Sequence, residues 1–169
     1  MKTKERISYL VSTLDLNKHP EGGFYKEVYR SEQSIDRTCL PSEFSGNRHY
    51  ATSIYFMLTS ESFSAFHKIN QDETWHFYEG SPIELHTISP AGNHTKYIIG
   101  ADLSNGQVYQ LTVPAKYWFA SKVIEEDSYS LVGCSVAPGF DFDDFELANR
   151  SSMIKSFPNH EALILGFTR

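Results

Sequence analysis

The stretch FHKINQDETWHFYEG, Phe66 to Gly80, packs His67, Glu73 and His76 into a segment rich in strand formers. An imidazole titrates near neutral pH and can move a proton. A carboxylate facing a barrel interior is costly unless paired, and His67 is the obvious partner for Glu73. We therefore expect His67 as general base and Glu73 as the group that orients it. Both should face one cavity and meet directly or through one water. In the segment that follows, Glu84 and His86 alternate with Ile83 and Leu85, so one strand face is polar and the other apolar. That polar face either lines a pocket or meets solvent or a second subunit. His76 falls opposite Glu73 if the strand is regular. Gln110, in VYQLTV, could turn an amide inward, and Trp75 and Trp118 offer flat walls. The candidate ligand-binding set is thus Trp75, His76, Glu84, His86, Gln110 and Trp118 around the catalytic pair.

These side chains need strands to hold them. Residues 3–14 read as an amphipathic helix, with Ile7, Leu10, Val11 and Leu14 on one face. The Pro20–Gly23 cluster reads as a turn and Phe24–Tyr29 as a strand. Tyr25 and Tyr29 in that strand are read as core packing. Residues 31–48 are polar and long for a loop in a compact domain, which suggests a hairpin excursion or a flap. Ala51–Leu58 reads as a strand apolar on both faces. Further strands are expected at 63–69, 73–79, 83–89, 94–99, 108–113, 116–121 and 129–136, each bounded by turn residues. That spacing indicates an all-β sandwich or barrel rather than βαβ units. The acids of DFDDFE read as the solvated start of a helix capped by Asp143 or Asp144 and running to Phe157. Pro158 would stop it and open a last helix.

The chain has 169 residues, which suits one domain spanning 1–169. Its net charge is −6 and no Lys/Arg cluster stands out, so nucleic acid is not an expected partner. No apolar run approaches the ~18 residues of a membrane span, and the amino end lacks the apolar core of a signal peptide. Cys39 and Cys134 show no metal or redox spacing. A cytoplasmic protein fits these features. Neither G-x-x-x-x-G-K-[ST] nor G-x-S-x-G is present.

Two segments resemble the paired strand motifs of the cupins. With His67 on the first histidine, Ile69 takes the second histidine's place, and Glu73 and Gly80 keep the E-x6-G spacing. In VPAKYWFA (113–120) Pro114 matches the proline, Lys116 replaces the glycine and Phe119 the histidine. Four longer segments in order, HPEGGFYKEVYRS, ETWHFYEGSPIELH, VPAKYWFA and LVGCSVAPGFDFDDFELA, resemble the cupin_5 (DUF985) family, itself similar in fold to the sugar-nucleotide epimerase RmlC. The resemblance implies a cupin-type double-stranded β-helix, a jelly-roll barrel with short N- and C-terminal helices. It also implies a small-molecule ligand and adds Phe119 to the ligand-binding set. GGFYKE (22–27) resembles an epimerase segment that reaches the active site, with Gly22 where a phosphate-binding arginine stands. AFHK (65–68) places the catalytic histidine on His67. Ile69 and Phe119 replace two of four metal ligands, so no metal cofactor is expected; the alternative is a divalent metal at His67 and Glu73. The expected function is a metal-independent isomerase or epimerase on a carbohydrate-like compound. A metal-dependent oxygenase or isomerase and a non-enzymatic sensing domain remain alternatives. We expect a homodimer paired through the strand near Phe24–Tyr29.

Overall fold

Period-2 alternation decides the architecture, because nearly every long strand carries one row of side chains inward and another outward. The computed structural model describes residues 2–169. In chain order its strands are β1 (Asn17–Lys18), β2 (Phe24–Arg30), β3 (Ser34–Ile35), β4 (Arg48–His49), β5 (Thr52–Thr59), β6 (Phe63–Lys68) and β7 (Asp72–Gly80). They continue with β8 (Ile83–Ile88), β9 (His94–Ile99), β10 (Gln110–Val113), β11 (Trp118–Val123), β12 (Tyr129–Ala137) and β13 (Glu146–Leu147). The helices are α1 (Thr3–Thr13), α2 (Arg150–Ser156) and α3 (Glu161–Gly166).

A six-stranded sheet runs β1-β2-β5-β12-β7-β10, and a five-stranded sheet runs β13-β6-β11-β8-β9. Their ladders are antiparallel. The inward rows meet in one core: Phe56, Trp75 and Val132 from the first sheet, Ile83, Leu85 and Phe119 from the second. The outward rows are covered as well. Met57 and Leu131 lie under Leu10 and Leu16 at the α1 end. Phe66, Ile88 and Ala120 lie under Met153 and Ile164 of α2 and α3 and under Phe167. This double covering explains why IYFML is apolar on both faces.

The segment 31–48 is the hairpin excursion: β3 pairs with β4. Its end is fastened by Arg48, whose Nε and Nη2 donate to Asp144 at 2.7 and 2.8 Å in a fully buried pair. This corrects the solvated-helix reading of DFDDFE. Asp144 carries 1% of its side-chain surface exposed, and it also accepts from Gln71 at 2.7 Å. Asp141 caps only a short 3-10 turn over Phe142–Asp144. α2 begins at Arg150, capped by Asn149, whose side chain accepts from the Ser152 amide. The buried ion pair, formed across 96 residues, outweighs the local capping preference.

Candidate active site

The turn His19–Gly23 is where the site begins. Gly22 and Gly23 both have positive φ, at +120° and +74°. A side chain at either would collide with backbone, of Phe63 at Gly22 and of Met57 at Gly23. Two glycines therefore let the turn lie against the sheets, and the backbone of Glu21 is held there. Its carbonyl accepts from the Ala65 amide and from Arg169 Nη1, each at 2.9 Å. The Glu21 side chain is aimed into the barrel, 7% exposed.

There it meets β6. His67 Nδ1 lies 2.8 Å from the Ala65 carbonyl. A carbonyl only accepts, so Nδ1 carries the hydrogen and Nε2 presents its lone pair. Glu21 Oε2 stands 3.1 Å from that Nε2. Glu21 Oε1 accepts from Ser64 Oγ at 2.7 Å. His19 Nδ1 lies 3.3 Å from Glu21 Oε2 and takes a hydrogen bond from the Glu21 amide at 3.3 Å. One acidic proton thus serves a carboxyl flanked by two imidazole nitrogens. Burial pushes the Glu21 carboxyl well up, with the charge of Glu73 adding to it. Burial pushes His67 down to about 3 and His19 down to about 4. The proton therefore rests on Glu21 near neutral pH, and the contact with His67 is an O–H···N hydrogen bond rather than an ion pair.

Glu73, on β7, lines the same cavity. Burial raises its carboxyl to about 7, while the nearby Cys134 thiol and Trp75 indole hold the rise in check. Among the described residues the Trp75 N–H nevertheless makes no hydrogen bond of good geometry. Burial also pushes the Cys134 thiol well up, so it stays neutral. The cavity encloses about 610 Å³ at one end of the barrel. That volume is typical of small-molecule sites. Ile54, Phe56 and Val136 form apolar wall. Phe142 stacks on His19, Phe145 meets it edge-on and Phe140 packs against Phe142, and the lining also includes Glu27, Arg30, Asn47, His49, Thr52, Ile69 and Asp141.

Of the residues singled out in the sequence, His67, Glu73 and Trp75 line this cavity. The expected partner of His67 is corrected: Glu21 holds its Nε2, because the glycine turn brings that carboxyl against β6. Phe119 is buried behind His67, ring on ring at 4.0 Å, without lining the cavity. The other five lie elsewhere, for reasons of strand parity. His76 points to the opposite face of β7 and bonds Ser135 Oγ at 3.2 Å. Glu84 and His86 share the outward row of β8 with Ile88. There Glu84 meets Lys122 at 3.2 Å, and His86 Nδ1 meets His94 Nε2 at 2.9 Å. Gln110 is exposed on the edge strand β10. Trp118 faces the α2 side, with Lys68 Nζ 4.5 Å above its ring. Tyr25 packs against the core as read and also lines the cavity, whereas Tyr29 is exposed. The residues missed were His19, Glu21 and the Phe140–Phe145 wall. The signal for the first two was a titratable pair directly before a double glycine.

A metal, which the barrel motifs imply for many cupins, does not fit these residues. Ile69 and the Phe119 ring occupy two ligand positions, and both nitrogens of His67 are already engaged. Among the described residues no three His, Cys, Asp or Glu side chains group to hold an ion. Also among them, no helix is long and apolar enough to cross a membrane.

Comparison with known proteins agrees with this architecture. The model of the Cupin superfamily (DUF985) matches residues 8–148. The uncharacterized protein YML079W of Saccharomyces cerevisiae is 31% identical over 147 residues, covering 82% of this chain and 73% of its own. Protein SO0799 of Shewanella oneidensis has a crystal structure that superposes with a TM-score of 0.87 at 37% identity, over 100% of this chain and 99% of that one. A hypothetical protein from Leishmania major superposes equally well, at 0.87 and 36% identity, over 95% and 97%.

Proposed function

The chain belongs to the DUF985 family of the cupin superfamily, and we propose that it is a metal-independent isomerase or epimerase acting on a carbohydrate-like compound bound in the barrel. The observation that carries this reading is the pairing of two different carboxyls in one cavity. Glu73 is buried with no cation beside it and titrates near neutrality, while Glu21 keeps a proton that it shares with His67. Two carboxyls tuned apart by their surroundings form a base and an acid.

In the forward step Glu73, as carboxylate, takes the proton from the carbon next to a carbonyl. The C–H electron pair becomes the C=C bond of an enol, and the carbonyl oxygen takes the proton of Glu21. For isomerisation Glu73 returns its proton to the former carbonyl carbon while the hydroxyl on the first carbon gives its proton back to Glu21 and becomes the new carbonyl. For epimerisation a water protonates the opposite face and takes the proton of Glu73, and the enol O–H returns its proton to Glu21. His67 acts through Nε2 on the proton of Glu21 rather than first on substrate, since its Nδ1–H is committed to Ala65. The aromatic wall shields the enol from water.

The test is solvent exchange. Neutral aldoses and ketoses incubated with the protein in heavy water should gain deuterium next to the carbonyl. Glu73→Gln and Glu21→Gln should each slow this by at least about 10²-fold. Exchange that survives both substitutions, or a sugar that fills the cavity and never exchanges, would leave a ligand-binding domain and no enzyme.

A further inference from the structure

We infer that the ligand of the barrel cavity is not an anion, because Glu27 and the Phe140 carbonyl occupy Arg30, which lines the cavity. This deepens the reading above, on which it rests, by naming the substrate class: a free polyhydroxy carbonyl compound, neither phosphorylated nor linked to a nucleotide.

A phosphate or carboxylate leaving water for a buried cavity needs a cation or several convergent N–H donors. Among the described residues Arg30 is the only Lys or Arg lining the cavity. Its Nε and Nη2 donate to the two oxygens of Glu27 at 2.9 and 2.7 Å. Nη1 and Nη2 both donate to the Phe140 carbonyl at 3.2 Å. All three nitrogens are therefore engaged, and Asp141 adds a second negative charge nearby.

The histidines do not replace that charge. His49 Nδ1 lies 2.6 Å from the Ser31 carbonyl and spends its hydrogen there rather than on a ligand. His19 and His67 are held neutral by burial. Of the remaining lining, the carboxylates of Glu73 and Asp141 would oppose an anion.

What the cavity does offer is aromatic faces for C–H surfaces and acceptors for hydroxyl groups.

The experiment is a titration of the full chain with inorganic phosphate, followed by NMR at cavity residues. The wild type should show no saturable shift at millimolar concentration. Glu27→Gln, at an exposed residue, should free Arg30 and gain phosphate binding by at least about tenfold. The double variant Glu27→Gln/Arg30→Gln should lose that gain. Saturable binding of phosphate in the wild-type cavity would overturn the inference, and so would a Glu27→Gln protein that gains nothing. The titration reads no turnover. A protein that fails it yet exchanges protons remains an isomerase for an anionic substrate; one that passes it without exchange is a binding domain for ligands that are not anions.

Discussion

Glu21 Oε2 lies 3.1 Å from His67 Nε2, while the other nitrogen of the same ring is fixed on the Ala65 carbonyl. The donor in this contact must be the carboxyl, so its replacement by an amide and by a methyl should differ. In Glu21→Gln the amide N–H can still donate to His67, and stability should change by less than about 1 kcal/mol. Glu21→Ala strands both His67 Nε2 and Ser64 Oγ and should cost about 2–3 kcal/mol. Urea unfolding of the two variants checks this. Equal losses would mean that the contact does not depend on a donated hydrogen.

Acid should weaken the fold before the carboxylates titrate. His67 and His19 sit at about 3 and about 4 when folded, against 6.5 for the free side chain. The unfolded chain therefore binds protons first. Their contribution is fully present above pH 6.5 and is lost as pH falls through the folded values. Each group gives up to about 1.4 kcal/mol per pH unit in that window. His67→Gln should flatten the lower part of the stability profile between pH 6.5 and 4. An unchanged slope would show that His67 is not held neutral.

Glu73 works in the opposite direction. Its folded value is raised, so the native state favours the protonated form, fully below pH 4.5, and loses that advantage as pH rises through about 7. Glu73→Gln removes the ionisation cost. Relative to the wild type it should gain on the order of 3 kcal/mol between pH 4 and pH 9. Paired denaturation curves at the two pH values measure the difference.

Asp144→Asn should destabilise by about 3–5 kcal/mol, because Arg48 would remain buried with its charge uncompensated. The loss should appear in chemical unfolding and be largely absent from Asp143→Asn, whose residue is exposed. Comparable effects of the two substitutions would remove the fastening role given to Arg48.

We propose a homodimer through the free part of β2. Only Phe24 and Tyr25 are paired with β1, and beyond them Val28 and Tyr29 are exposed at 51% and 54%. Such an edge favours strand addition by a second copy. Sedimentation at micromolar concentration should give a dimer, and Val28→Pro should shift it toward monomer. A monomeric wild type would refute the proposal.

The barrel was legible in the sequence because most long strands obey parity: on β7 Glu73 and Trp75 point inward and His76 outward, as alternation requires. The same parity explains the residues that miss the cavity. Glu84 and His86 share one row, and that row faces away from the interior, which sequence alternation alone does not decide. Glu21 was not legible as a partner of His67, since the contact joins positions 46 apart and the Pro20–Gly23 turn already had a local explanation. The start of α2 was misplaced for a related reason. Asp143 and Asp144 look like caps locally, and only the distant Arg48 draws Asp144 inward.

The most direct measurement is an NMR titration of carboxyl carbons in protein labelled at glutamate, with Glu73→Gln and Glu21→Gln spectra to assign the two signals. The account predicts that Glu73 titrates at about 7 and that Glu21 stays protonated well above the ordinary range near 4.5. If both carboxyls titrate near 4.5, the cavity holds two ordinary carboxylates, and the acid–base pair on which the proposed chemistry depends does not exist.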